Sequence, residues 1–134
     1  MTGLIWFVQI VHYPLFASVP EGAFAPFHRR HMRLTTRVVA PLMLLEMFSA
    51  VALLFAAPTP TIRALAATGL ALLAGIWLST WAVQVPDHQK LRLTQGNPRV
   101  TRGLVRANWV RTGGWSLRCL ISAALVVEIA RASF

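Results

Sequence analysis

Acidic residues are scarce in this 134-residue chain. Charged residues make up only 13% of it, and thirteen lysines and arginines face four acidic residues, which leaves a net charge of +9. A soluble domain carries roughly 25% charged residues, so this composition does not suit a surface in contact with water on every side. Four carboxylates are also too few for a carboxylate-rich di-iron centre. The acidic residues are Glu21, Glu46, Asp87 and Glu128.

Several familiar functional classes lack their sequence signals. Cys119 is the only cysteine, which excludes an internal disulfide and a cysteine-based zinc site. The chain has no glycine-rich phosphate loop, no H-E-x-x-H, no G-x-S-x-G and no C-x-x-C. Its N-terminus lacks the basic region of a signal peptide, so we expect the first apolar segment to be retained. The basic residues lie in two blocks between apolar stretches, which argues against a nucleic-acid partner.

Hydrophobic residues are abundant instead, at 56% of the chain with a mean hydropathy of +0.59. Four apolar stretches predict transmembrane helices at about 3–19, 24–57, 62–85 and 98–131, because ~20 helical residues cross the hydrocarbon layer. Open strands would leave backbone groups unpaired in lipid. The predicted fold is therefore all-α, a four-transmembrane-helix bundle forming one integral membrane domain over residues 1–134. Helices two and four are predicted to extend into the cytoplasmic interface.

The basic residues predict the orientation of the chain. The first block comprises Arg29, Arg30, Arg33 and Arg37, and the second Lys90, Arg92, Arg99, Arg102 and Arg106. The positive-inside rule places loops 20–37 and 86–106 in the cytoplasm and both termini outside. We therefore expect a multi-pass protein of a bacterial inner (cytoplasmic) membrane. Its arginines would contact anionic lipid headgroups.

Ionisable residues inside the apolar stretches need an explanation, because such groups are costly in lipid and usually face a partner or a cavity. At 1.5 Å per residue, His12, Glu46 and Arg111 are predicted to lie in one layer, roughly 10–13 Å from the cytoplasmic end. Two interpretations are open. Glu46 could form a structural ion pair with Arg111 or Arg118, or it could be the proton-transfer group of a site.

The four histidines all fall towards the predicted cytoplasmic face. His28 and His31 are spaced i, i+3, so two ring nitrogens could reach one ion. His88 follows Pro86 and Asp87 at the cytoplasmic end of helix three, and His12 lies deeper. Histidine ligands predict a transition metal, or a haem, for which His12 is buried enough to be an axial ligand. Solvation beside lipid headgroups is the alternative. The candidate metal ligands are His12, His28, His31 and His88.

Polar and aromatic residues share one face of helix four, at positions i, i+3, i+7 and i+10: Asn108, Arg111, Trp115 and Arg118. Arg111 is predicted to hold Glu46 ionised or to bind an anionic group, and Tyr13 and Asn108 to orient the ligand. The predicted catalytic residues are thus Glu46, Arg111, Tyr13 and Asn108. The residues predicted to bind the cofactor are His12, Trp115 and Arg118.

Several motifs carry a resemblance: His12-Tyr13-Pro14-Leu15-Phe16, Phe27-His28-Arg29-Arg30-His31, Gln84-Val85-Pro86-Asp87-His88 and Asn108-Trp109-Val110-Arg111-Thr112. With these motifs the chain resembles a family of small bacterial membrane proteins of uncharacterised activity, which implies a four-helix fold. Its layout is also similar to anthrone-oxygenase-like membrane proteins, which implies oxygen chemistry on a lipophilic substrate. A further likeness, to small four-helix protoporphyrinogen oxidases, implies haem or porphyrin. No catalytic residue is carried over from either group.

Three functions are consistent with the sequence. The leading hypothesis is a membrane-embedded oxidoreductase that uses a histidine-bound metal or haem on a lipophilic small molecule. The first alternative is a non-enzymatic accessory subunit of a larger respiratory or photosynthetic membrane complex, in which the buried polar residues are structural pairs. The second is a small transporter, which would have to act as a homo-oligomer because four helices rarely enclose a path alone.

Overall fold

A computed structural model describes residues 1–132, and these residues form helices without any strand. The first helix, α1 (Thr2–Phe7), continues through a π-helical turn (Val8–His12) and a 3-10 turn (Pro14–Ser18). Helix α2 spans Glu21–Ala56. Helix α3 (Pro60–Ser79) continues through a second π-helical turn (Thr80–Gln84) into α4 (Val85–Leu93), and α5 spans Pro98–Ala132. The predicted all-α class is confirmed.

Three continuous stretches of helix, which we call rods, are long and apolar enough to cross a membrane: Glu21–Ala56, Pro60–Leu93 and Pro98–Ala132. Many of their large apolar side chains point outwards, and Phe55, for example, is 83% exposed. Contiguous apolar surface of this extent is typical of proteins that meet lipid or a partner rather than water. The three long apolar helices indicate membrane association.

Capping residues define the turns between the rods. Thr59 Oγ1 accepts a hydrogen bond from the Ile62 backbone nitrogen at 3.2 Å, and Pro60 occupies the first turn of α3. Asn97 Oδ1 accepts one from the Arg99 nitrogen at 2.9 Å, and α5 begins at Pro98. Proline suits the first helical position because an N–H at that position would have no acceptor within the helix. The predicted start of the fourth helix at Asn97-Pro98 is confirmed.

Residues 86–93, predicted to be loop, are instead helical. The helix predicted to end at residue 85 reaches Leu93, so the connection to α5 is reduced to residues 94–97. Pro86 lies in the first turn of α4, directly after the π-helical turn. Proline cannot donate the usual helical hydrogen bond, and a π-helical turn already replaces the regular bonding pattern at this point. The helix therefore continues past a residue that normally ends one.

Small residues allow α3 and α5 to approach closely. A side chain added at Gly69 would meet the Arg118 guanidinium at 2.8 Å, and one added at Gly114 would meet Ile76 Cγ1 at the same distance. The first helix is fixed to α5 by the Trp6 indole, which donates to Ser116 Oγ at 3.0 Å. These contacts pack α5 against both α1 and α3.

Replacing Gly96 with alanine is expected to destabilise the fold by about 2 kcal/mol or more. Gly96 has φ +79°, a left-handed conformation that disfavours other residues, and an added Cβ would overlap the ring of Phe24. The free energy of unfolding can be measured in mixed detergent micelles. A Cβ added at Gly103, in α5, would have no neighbouring atom within 4 Å. Gly103→Ala should therefore raise the free energy of unfolding by about 0.5–1 kcal/mol. Equal effects of the two changes would contradict this assignment.

Candidate functional site: a histidine cluster beside an apolar pocket

The structure brings all four histidines together. His12 Nε2 lies 2.8 Å from His31 Nδ1, and His28 Nε2 lies 3.1 Å from His88 Nδ1. The two pairs adjoin, since the ring centroids of His28 and His31 are 5.9 Å apart, as are those of His31 and His88. All but His12 are buried. We call these four residues the histidine cluster.

Both π-helical turns occur next to cluster residues. His12 is the last residue of the first turn, and the second ends at Gln84, four residues before His88. A π-helical turn holds more residues than an α-helical turn, so it changes the face on which later side chains emerge, and it is frequent at functional sites. His28 and His31 share a face of α2 through ordinary i, i+3 spacing. Three separate helical segments thus contribute histidines to the cluster.

Phe16 forms the centre of the cluster. Its ring centroid lies 5.3 Å from that of His12, 6.0 Å from His28, 5.0 Å from His31 and 6.3 Å from His88. The side chain is 1% exposed and contacts the imidazoles edge-on. Such aromatic packing fixes ring orientation as well as position. Phe16 therefore fixes the positions and orientations of the four imidazole rings relative to one another.

Hydroxyl groups complete the hydrogen bonding of the cluster. Tyr13 Oη lies 2.9 Å from His88 Nε2, and Thr35 Oγ1 lies 3.1 Å from His31 Nδ1. If Tyr13 donates to His88 Nε2, the neutral His88 ring carries its proton on Nδ1 and donates to His28 Nε2. In either direction of this chain, His28 Nδ1 is buried without a hydrogen-bond partner. The cluster thus retains a buried imidazole nitrogen that can donate a hydrogen bond in the first direction and can accept one in the reverse direction.

The imidazoles are arranged as two facing pairs rather than around one point. Within residues 1–132, no three histidine, cysteine, aspartate or glutamate side chains are placed to hold a single metal ion. A tetrahedral ion bound at ~2.0 Å keeps two imidazole nitrogens about 3.3 Å apart. The observed separations of 2.8 and 3.1 Å are slightly shorter. Binding an ion between either pair therefore requires the two rings to part by a fraction of an ångström.

A buried polar network extends from the cluster along α5. Arg111 lies against Tyr13, and its guanidinium donates to Asn108 Oδ1 at 3.0 Å. Asn108 donates to Gln9 Oε1 at 2.9 Å, and Gln9 donates to the Val105 carbonyl at 3.0 Å. The structure therefore places Tyr13 against His88 and connects Arg111 and Asn108 to it through this network.

Glu46 lies elsewhere, and the prediction of one layer with His12 and Arg111 was wrong. Glu46 follows His31 by fifteen residues of α2, which corresponds to about 22 Å along the helix. Its Oε1 lies 3.1 Å from the Met1 backbone nitrogen. Neither Arg111 nor Arg118 forms an ion pair within the described part of the chain. The depth estimate failed because it counted Glu46 from Arg37 as the start of the membrane span, whereas His12 lies level with His31, in the part of the helix before Arg37.

Trp115 and Arg118 are buried on the predicted face of α5, but they do not reach the histidine cluster. Both line a second cavity, which also contains Glu46 and Ser122. Arg118 follows Arg111 by seven residues, or about 10 Å along the helix. The two residues predicted to bind a cofactor together with His12 are thus separated from it.

An apolar pocket of about 370 Å³ adjoins the histidine cluster. Its polar lining comprises His31, His88, Tyr13, Arg111 and Gln84 together with Thr35, Thr36 and Thr80. Apolar side chains from α2 and the α3–α4 rod form the rest, among them Val39, Met43, Leu44, Trp77 and Trp81. Trp81 is 75% exposed, so the pocket reaches the outer surface of the bundle. We call it the lipophilic pocket.

Sequence reasoning missed four residues of this site: Gln9, Phe16, Trp77 and Gln84. The two glutamines could have been predicted as site residues, because each is an isolated polar residue in an apolar stretch. Both are fully buried in the structure. Phe16 and Trp77 had no such signal. They are aromatic residues in apolar stretches, and only the fold distinguishes them from residues that face lipid.

Comparison of the chain with protein-family models, with curated proteins and with solved structures gives no match. Functional inference therefore depends on the geometry of the site.

Proposed function

We propose that this protein binds a transition-metal ion through the histidine cluster and acts as an oxidoreductase on a molecule held in the lipophilic pocket. The observation that carries the proposal is the convergence of His12, His28, His31 and His88 from three helical segments. Isolated buried imidazoles are common packing residues, but four in contact at the edge of a pocket form a concentrated set of metal ligands.

The chemistry of the cluster favours a first-row transition metal. Imidazole suits copper, iron, nickel and zinc, whereas magnesium and calcium need the oxygen ligands that this cluster lacks. Thr35 and Tyr13 would serve as the outer hydrogen-bond partners that orient metal-binding histidines. Oxidoreductase activity requires a redox-active ion, so copper or iron is the proposed metal. The ring nitrogens face one another across short gaps, an arrangement that favours an ion over the haem also considered from the sequence.

The pocket supports a lipophilic substrate. Apolar walls with a few convergent polar groups are typical of small-molecule sites, and this pocket is lined by both His31 and His88. A molecule entering beside Trp81 would come from the lipid phase and stop next to the imidazoles. Tyr13 and Arg111, which also line the pocket, would position it for reaction.

The proposed setting is a bacterial inner membrane, which the chain would cross four times, with the first helix as the fourth span. Hydropathy of residues 3–19 supports that span, although π and 3-10 turns interrupt its α-helix. The arginine blocks support a cytoplasmic location for residues 20–37 and 86–106 and an outer location for both termini. The histidine cluster would then lie towards the cytoplasmic side. Membership of the small bacterial membrane-protein family remains a prediction.

Metal analysis of the full chain, purified in a mild non-ionic detergent, tests the proposal. We expect about one equivalent of copper or iron per chain, with an absorption spectrum that changes on addition of dithionite. Zinc at one equivalent would support the metal site and contradict the oxidoreductase assignment. A stable protein that stays metal-free after incubation with each ion would refute the proposal and favour the accessory-subunit alternative.

A further inference from the structure

The lipophilic pocket contains buried polar atoms that have no partner. Gln84 is 2% exposed, and neither its side-chain nitrogen nor its side-chain oxygen forms a hydrogen bond. The Trp77 indole nitrogen and Arg111 Nε are also buried and unpartnered. All three residues line the same pocket. Buried polar groups are nearly always hydrogen-bonded, so several unsatisfied groups in one cavity point to a ligand that satisfies them.

Among residues 1–132, Arg111 also has no carboxylate partner, so it is an unpaired buried cation there. It is 6% exposed, and the groups found against its guanidinium are the neutral side chains of Asn108 and Tyr13. No aspartate or glutamate lines the pocket. A guanidinium removed from water is costly unless an opposite charge accompanies it. The charge balance of the pocket is therefore incomplete in the protein alone.

The unpartnered atoms define the hydrogen bonds that the ligand must make. Arg111 Nε and Trp77 Nε1 can only donate, whereas Gln84 can donate through its nitrogen and accept through its oxygen. A ligand headgroup must therefore offer mainly acceptor oxygens. One of these should be negatively charged, because a charge-assisted bond to a guanidinium is about twice as strong as a neutral one.

From these contacts we infer that the ligand of the lipophilic pocket is a lipophilic oxyanion, a carboxylate or phenolate bearing an apolar body. The inference rests on the proposed function for a substrate in this pocket and specifies its chemical class. The oxyanion pairs with Arg111, and Gln84 and Trp77 bind the headgroup. The apolar body lies along Val39, Met43 and Leu44 and extends past Trp81 towards lipid.

Tryptophan fluorescence in a neutral detergent tests the assignment, because Trp77 and Trp81 line the pocket. The probes are a brominated long-chain fatty acid with its methyl ester, and a 2,6-dibromo-4-alkylphenol with its methyl ether, each used at a pH at which the acid or the phenol is ionised. Within each pair, methylation removes the negative charge. We expect the acid or the phenol to bind at least ~10-fold tighter than its neutral partner. The two pairs distinguish a carboxylate ligand from a phenolate ligand.

Variants assign the preference to the pocket. Arg111→Gln should abolish the difference between the acid and its ester, whereas Arg106→Gln should preserve it. Arg106 is an exposed residue on the same helix, so both changes remove one positive charge from α5. If Arg111→Gln does not fold, Gln84→Leu provides a second test and should weaken acid binding by about 5–10-fold. Gln89→Leu, at an exposed position further along the same rod, is its control.

Equal affinity for the charged and neutral probes in the wild-type protein would overturn the inference, as would a preference that survives Arg111→Gln. Metal content, measured on the same samples, separates this result from the proposed function. A metal-free protein that still prefers the acid would support the oxyanion site and contradict the metal site. A metal-loaded protein without that preference would contradict the oxyanion site alone.

Discussion

Changing His31 to alanine should weaken transition-metal binding by at least ~100-fold, because even residues that only orient a metal ligand are worth 10–100-fold. The ring centroid of His31 lies 4.6–5.9 Å from those of the other three histidines. His31 faces His12 at 2.8 Å, accepts or donates a hydrogen bond with Thr35, and also lines the lipophilic pocket. Its loss removes one ligand and leaves His12 without its partner. Titration of the purified apo-protein with copper(II) or iron(II), followed by metal analysis, gives the affinity.

Gln89→Ala provides the matched control for this change. Gln89 is exposed and follows His88 directly in α4, so its replacement tests whether any substitution near the cluster affects metal binding. We expect Gln89→Ala to bind as the wild type does, and both variants to elute from gel filtration as folded protein. A folded His31→Ala protein with undiminished metal affinity would show that the cluster is not a metal site. The histidines would then be structural, as the accessory-subunit alternative requires.

Phe16→Ala should lower the free energy of unfolding by about 3–5 kcal/mol, the usual cost of removing a fully buried aromatic ring. The ring contacts all four imidazoles and also packs against Phe24 and Phe27. Removal leaves a cavity lined by the four imidazoles. Reversible unfolding in mixed detergent micelles, monitored by circular dichroism, measures the loss.

Leu15→Ala is the comparison for Phe16, because Leu15 is the preceding residue and is 56% exposed. A side chain that already faces the surroundings leaves no cavity, so this change should cost less than about 1 kcal/mol. Metal affinity, measured on the same two variants, is a second test of the role of Phe16. Phe16→Ala should weaken metal binding in protein that remains folded, whereas Leu15→Ala should not. Similar losses in both variants would contradict the central role of Phe16.

The parts of the fold that depend on local chemistry could be predicted from the sequence. The helical class follows from long apolar stretches, and the start of α5 follows from Asn97 and Pro98, whose capping roles need no distant partner. The gathering of the four histidines at one end of the molecule could also be anticipated. It requires only that each histidine be assigned to the correct end of its helix.

The rest of the site depends on where helices start and how they rotate, and neither is visible in single residues. Starting the membrane span of helix two at Arg37, although the helix itself was predicted from residue 24, misplaced Glu46 relative to His12 and produced a layer that does not exist. The end of the third helix was misplaced because Pro86 is a reliable breaker in an ordinary α-helix but not after a π-helical turn. Gln84 can be assigned to the site only once the structure shows that it lines the lipophilic pocket.

The second π-helical turn makes the site sensitive to the number of residues as well as to their identity. Ala82 is one exposed residue within Thr80–Gln84. A π-helical turn holds about one residue more than an α-helical turn, so deleting Ala82 would let α3 and α4 join as a regular α-helix with His88 still directed towards His28 and Tyr13. A one-residue deletion in the regular part of α3 would instead rotate every later side chain by about 100° around the helix axis, and His88 would leave the cluster although all four imidazoles would still be present. A homologue can therefore keep every histidine and still lose the cluster, depending on where in this segment its length changes.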